Sequence, residues 1–141
     1  MERGLTEQDI LKYNIGYCLS GLYQNRIIIP SYDSNGQLNY FVGRDFYKGG
    51  MKYKNPPVSK DIVGFDLYIN WNEPLILCEG VFDAISIKRN AIPLFGKTIS
   101  KSLYTKIIEK KQEDKNDRCK IITPYNRRRH CCLLYTSDAA D

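Results

Sequence analysis

The sequence predicts an α+β and α/β chain, in which a small N-terminal lobe with antiparallel strands precedes a β-α-β-α-β parallel sheet. Three observations carry this. Arg26-Ile-Ile-Ile-Pro30 and Leu38-Asn-Tyr-Phe-Val42 flank Asp33-Ser-Asn-Gly36, which has hairpin-turn chemistry. Leu75-Ile-Leu-Cys78 is an unbroken apolar run, as a parallel strand covered on both faces requires. From there apolar runs alternate with helically spaced segments as far as Thr123, and short links of this kind call for right-handed crossovers. The expected organisation is a basic lobe over residues 1–72, a parallel layer over 73–123, and an aberrant tail over 124–141.

Each element has a local reason. Thr6 and Asp9 resemble a capping box ahead of Ile10, Leu11 and Tyr13, which predicts a short helix over 7–13. Gly16 and Gly21 bracket a loop, and Pro30 closes the strand that begins at Arg26. Lys48 to Pro57 reads as irregular because of its paired Gly and paired Pro. After Glu73-Pro74, the strand 75–78 leads to a helix over Val81 to Arg89 that keeps Val81, Phe82 and Ile85 on one side. Ile92-Pro-Leu-Phe95 is a second strand ending at Gly96. Ser100 caps a helix carrying Leu103, Ile107 and Ile108, and Cys119 to Thr123 forms a third strand. The mixed charges of Glu109 to Lys120 read as a solvated helix end and loop.

Composition narrows the class. Of 141 residues, 43% are hydrophobic and 12% aromatic, enough apolar surface for a packed core rather than a disordered chain. No window reaches the roughly 20 apolar residues of a membrane helix, and the polar N-terminus is unlike a signal peptide. With 21 basic residues against 16 acidic, the net charge of +5 permits a polyanionic partner without requiring one. Five cysteines, none in a CxxC pair, and a single histidine, His130, give no zinc-ligand spacing and fit a reducing compartment. A soluble cytoplasmic chain with no membrane association is the expectation.

From Cys132 the chain reads CLLYTSDAAD, which resembles the frame-translated end of a transposon-type sequencing adapter. The expectation is that native sequence ends between 123 and 132. The Arg127-Arg128-Arg129 run therefore carries no nucleic-acid argument, and the remainder is still basic.

Ligands of open parallel sheets collect at the carboxyl ends of the strands. Glu79-Gly80 follows the first such strand directly, so Glu79 should project into that crevice while Gly80 permits the tight strand-to-helix turn. Asp83, one turn on, either shares the crevice or complements the helix N-terminus.

Leu77-Cys-Glu-Gly-Val-Phe-Asp-Ala84 resembles the first signature of the Toprim domain, which bacterial-type primases share with topoisomerases, and Ile92-Pro-Leu-Phe-Gly-Lys-Thr98 resembles its second-strand segment in primases. Arg26-Ile-Ile-Ile-Pro30 with Asp33 and Gly36, then Val42-Gly-Arg44, resembles the start of the primase polymerase core. Lys52-Tyr-Lys-Asn-Pro56 resembles that family's basic, aromatic and amide motif. Order and spacing agree over residues 13 to 123. The resemblance is to bacterial and bacteriophage-type DNA primases, nearest in wording to those of phages, with a truncated Toprim sheet.

The resemblance implies a nucleotidyltransferase that makes short RNA primers on a single-stranded DNA template from ribonucleoside triphosphates, in partnership with a replicative helicase. It implies Mg²⁺ or Mn²⁺ in the intact parent, with Glu79 as the catalytic carboxylate and metal ligand and Asp83 as a weaker candidate. In the family the partner acids form an Asp-x-Asp pair after the third Toprim strand. Here Ile121-Ile122-Thr123 runs into Pro124-Tyr125-Asn126, so the fragment itself is expected to be inactive. Arg26, Arg44, Lys52, Tyr53 and Asn55 match positions that line the template and nucleotide groove, where Arg and Lys grip phosphate and Tyr stacks a base. Lys97, after the turn at Gly96, could reach a phosphate. Two alternatives stand beside this: a module that binds single-stranded nucleic acid without catalysis, and another Toprim enzyme, a topoisomerase or nuclease.

Overall fold

A computed structural model describes residues 5–45 and 51–113 and the short strand at 121–122. The expectations placed on 46–50, on 114–120 and on the tail lie outside the described residues. The chain opens with helix α1 (Glu7–Lys12), held by the expected capping box: Thr6 N–H donates to Asp9 Oδ2 at 2.9 Å, and Asp9 N–H donates to Thr6 Oγ1 at 3.1 Å.

Four strands then form an antiparallel sheet in the order β1 (Gly16–Cys18), β2 (Arg26–Tyr32), β3 (Leu38–Asp45) and β4 (Tyr53–Lys54). The β2–β3 hairpin is where the turn chemistry places it, with Asp33 Oδ1 accepting from the N–H groups of Asn35 and Gln37. Three expectations are corrected. Pro30 does not close β2, which runs on to Tyr32 through an irregularity between Ser31 and Tyr32. Gly16 to Cys18 is an edge strand rather than loop, because it pairs with Arg26–Ile28. The segment read as irregular contains β4, where Tyr53 and Lys54 pair with Arg44 and Gly43. Gly43 is required there, since a Cβ would lie 2.6 Å from the Lys54 carbonyl oxygen.

The second sheet is parallel, ordered β6–β5–β7, with β5 (Leu75–Cys78) between β6 (Ala91–Pro93) and β7 (Ile121–Ile122). Side chains of β5 alternate between two cores, as strand geometry demands. Leu75 and Leu77 pack with Leu103 and Ile107 of helix α3 (Lys101–Glu113), along with Ile92 and Val63. Ile76 and Cys78 belong to the other core, with Val81, Ala84 and Ile85 of helix α2 (Val81–Ile87) and with Tyr13, Ile29, Tyr40, Val42 and Phe65. That second core joins both sheets. Helix α2 stops two residues earlier than the apolar pattern indicates, because Lys88 turns left-handed at φ 54°. Strand β6 starts and ends earlier than Ile92–Phe95, and Phe95 is left-handed at φ 55°.

Residues 60–66 form a wedge between the sheets. On one side Phe65 N–H donates to Ser31 Oγ at 3.0 Å, and Asn39 Nδ2 donates to the Val63 carbonyl at 3.1 Å. On the other, Ser102 N–H and Oγ donate to Asp61, and Ser100 Oγ donates to the Ile62 carbonyl at 2.9 Å. Lys106 closes the wedge by bonding both oxygens of buried Asp66 at 2.8 and 2.7 Å, while Trp71 Nε1 donates to Asp66 Oδ1.

Two predictions follow from this packing. A Cβ on Gly64 would sit 2.3 Å from the Pro93 carbonyl oxygen, so Gly64→Ala should lower unfolding free energy in urea melts by about 1–3 kcal/mol. Gly16→Ala, where a Cβ meets nothing within 4 Å, should stay within about 0.5 kcal/mol of the parent. The Asp9 carboxyl is held below its ordinary 3.8, chiefly by the Thr6 N–H, with the Thr6 hydroxyl and the charge of Lys88 adding to it. A depressed folded pKa gives stability that is present above the unfolded value and lost as pH falls through the folded one. The stability gap between the parent and Asp9→Asn should therefore be open at pH 6 and narrow as the pH falls below the ordinary carboxylate value of 3.8.

Candidate functional site

The cleft between the two sheets encloses about 180 Å³ and is lined from both sides. The parallel sheet contributes Glu79, Gly80, Val81, Phe82 and Asp83 from the end of β5 and the first turn of α2, with Phe95 from the loop after β6. The antiparallel sheet contributes Val42 of β3, Tyr53 of β4 and, just beyond it, Asn55. Loops leaving β5 and β6 turn to opposite faces, since α2 and α3 belong to different cores. That is the arrangement in which a parallel sheet opens a crevice at its carboxyl edge.

Glu79 stands exposed at the mouth, as the strand-end position predicts. Gly80 is extended at φ −112°, and a Cβ there would meet Asp83 Oδ2 at 3.4 Å, so the Asp83 carboxylate folds back over the strand-to-helix turn. Both carboxylates thus line one cleft. Beneath them Cys78 is buried, and burial, with the nearby Asp83 charge adding, pushes its thiol far above the ordinary range. It is a neutral core residue, donating from Sγ to the carbonyls of Gly80 and Ile92, both at 3.6 Å.

The facing wall is basic and aromatic. Arg44 and Tyr53 are register partners on β3 and β4, so their side chains share a face. Arg44 Nη1 donates to the Tyr53 hydroxyl at 2.8 Å, and its guanidinium carbon lies 5.0 Å from the Tyr53 ring centroid. Lys52 Nζ lies 5.7 Å from the same ring. Val42 and Arg44 are two residues apart on β3, which puts Arg44 on the cleft side of the sheet. Burial raises the Tyr40 hydroxyl pKa, and a side-chain bond from Asn55 works against that rise. Asn55 lines the cleft, and its Oδ1 is buried with no hydrogen-bond partner among the described residues.

Of the residues expected in the groove, Tyr53, Asn55, Glu79 and Asp83 line the cleft, Arg44 and Lys52 stand beside Tyr53 without lining it, and Arg26 and Lys97 are not brought there. Arg26 is opposite Asp45 in the β2–β3 register, on the face away from Val42 and Arg44. It is 9% exposed, and its Nη1 donates to the Gly43 carbonyl at 3.2 Å. Lys97 is exposed and does not line this cleft; Gly96 lines a neighbouring hollow with Lys60, Asp61 and Ser100. Conversely, Val42, Phe82 and Phe95 line the cleft without having been singled out. Phe95 carries a visible signal only in retrospect, as the last apolar residue before Gly96; its ring lies 4.7 Å from that of Tyr40.

The two sheets, their connection and the cleft define a primase-type fold. Solved bacterial primase structures share it. The chain superposes on the Aquifex aeolicus primase, zinc-binding and RNA polymerase domains, with a TM-score of 0.67 and 19% identity, covering 88% of this chain and 41% of that one. The RNA polymerase domain of Mycobacterium tuberculosis primase DnaG gives a TM-score of 0.69 at 16% identity, with 86% and 55% covered. A DnaG primase catalytic domain bound to single-stranded DNA gives 0.65 at 15%, with 86% and 60% covered. The chain thus spans roughly half the length of these structures. No protein-family model and no curated protein sequence matches it. Among the described residues, no helix is long and apolar enough to cross a membrane.

Proposed function

We propose that the chain is part of the polymerase core of a DNA primase of bacterial or bacteriophage type, whose parent makes RNA primers on single-stranded DNA for replication. In this reading the parallel layer is the first part of a Toprim domain, residues 1–72 form the basic lobe, and the parent works with a replicative helicase in the cytoplasm. One observation carries it: Glu79, at the end of a central parallel strand, shares a cleft with Asp83 and faces a wall built from Tyr53, Asn55 and Val42.

The chemistry asks for both walls. A primer 3′ hydroxyl attacks the α-phosphate of an incoming ribonucleotide, the bond to the β-phosphate breaks, and pyrophosphate leaves. Arg44 and Lys52 offset phosphate charge, Arg44 with paired N–H donors and Lys52 as a point charge. The Tyr53 ring offers a base a stacking face without selecting its identity. Asn55, which lines the cleft next to Tyr53, places an amide beside the same ligand.

Two carboxylates beside a polyphosphate suit Mg²⁺, which takes one or two protein oxygens and fills its remaining positions with water and phosphate. Glu79 and Asp83 would hold it; when bound, it supplies neutralising charge and a more nucleophilic attacking oxygen. Among the described residues, no cluster of three or more His, Cys, Asp or Glu could hold a metal by itself. The sequence after Thr123 has no Asp-x-Asp pair, so the chain alone should bind nucleotide weakly and make no primer.

Calorimetric titration of ATP into the 141-residue chain should show binding that strengthens with Mg²⁺. Glu79→Gln should weaken the Mg²⁺-dependent part by about tenfold. Binding indifferent to both Mg²⁺ and Glu79 would remove the carboxylate from its assigned role, and primer synthesis by the chain alone would refute its inactivity.

A further inference from the structure

We propose that Tyr53 is a positioning residue for Arg44: its hydroxyl fixes the guanidinium at the cleft so that the remaining N–H groups meet a phosphate of single-stranded nucleic acid. This rests on the reading of the cleft given above and adds a role within it. Arg44 and Tyr53 sit directly opposite in the β3–β4 ladder, so the backbone sets their spacing before any ligand arrives. The 2.8 Å bond uses one of the five guanidinium N–H donors and leaves four, more than the two that a phosphate takes in a paired contact.

The group that holds Arg44 in this bond is a neutral phenol, so the contact leaves its positive charge in place. A carboxylate in the same position would orient the guanidinium and also neutralise it against a phosphate. The Tyr53 hydroxyl, having accepted from Arg44, keeps its own hydrogen free to donate. Tyr53 is 38% exposed and lines the cleft, with Lys52 near its ring, and Arg44 beside it is half-buried, so its guanidinium is held at the edge of the cleft with part of the residue open to solvent. Long Arg side chains lose rotamer freedom when they grip a ligand. An arginine already held in place loses less on binding.

The test is a double-mutant cycle, read by fluorescence anisotropy of a labelled single-stranded DNA oligonucleotide on the full chain. Tyr53→Phe keeps the ring and its packing and removes only the hydroxyl oxygen. Alone it should weaken binding by about fivefold. Arg44→Gln should weaken binding further and reduce the slope of log affinity against log salt by about 1. In the Arg44→Gln background, Tyr53→Phe should cost nothing more and leave the salt slope unchanged. Equal losses in both backgrounds, or no loss in either, would overturn the positioning role while leaving the cleft's function standing. A parent chain that binds no single-stranded DNA would overturn both.

Discussion

The cleft exists because residues 60–66 are gripped from both sides. Among the described residues, no strand of the antiparallel sheet pairs with one of the parallel sheet, and a joint made only of packed side chains would fix distance better than orientation. The wedge supplies orientation. Ser31 and Asn39 hold its backbone on the antiparallel side, while Ser100, Ser102 and Lys106 hold it on the other. Gly64 allows the chain to pass against Pro93, and Phe65 takes a left-handed turn at φ 56° to enter the core shared by both sheets. Removing the charge of Asp66 from water is costly, and a single partner rarely repays that. Here Lys106 bonds both oxygens, the indole of Trp71 adds a third donor, and the same Trp ring lies 4.9 Å from the Lys106 ammonium. A pair satisfied this fully tolerates burial and ties α3 to the wedge.

The two walls of the cleft divide the electrostatic task. Carboxylates stand at the end of β5, and Arg44 on β3 and Lys52 before β4 stand beside Tyr53, so the two signs of charge belong to different walls. In the function proposed above, this division suits a ligand that carries both a polyanion and a cation. Mixing the signs along one strand would have closed them into ion pairs. The outer face of the antiparallel sheet illustrates the alternative: Arg26 spends its guanidinium on the Gly43 carbonyl, and Lys54 spends its ammonium on the Leu22 carbonyl and the Tyr23 ring. Those cations are committed to structure.

What the sequence disclosed depended on whether the deciding force was local. The capping box, the Asp33 turn and the apolar run of β5 are written in neighbouring residues, and they appear as expected. So does Glu79, because a polar residue after a buried run followed by Gly leaves the chain few other conformations. Strands β1 and β4 are different. Gly16–Cys18 and Tyr53–Lys54 have no strand pattern of their own and exist because a longer neighbour offers unpaired N–H and C=O groups. Only tertiary pairing could reveal them.

The divergence between Arg26 and Arg44 turns on parity. In a strand, one residue of offset moves a side chain to the other face. Tyr40 and Val42 are buried with the less buried Phe41 between them, and Gly43 has no side chain to compete, so β3 marks its inward face and Arg44 follows in the same phase. Strand β2 begins Arg-Ile-Ile-Ile, with no alternation to say which isoleucine points inward, and nothing local assigns a face to Arg26. The pairing of Ile29 with Val42 decides it, leaving Arg26 on the outer face beside Gly43. A motif match supplies residue types and spacing, but a strand's side chains reach a site only if their phase agrees with it. Phase is set by a partner strand that a linear match does not contain.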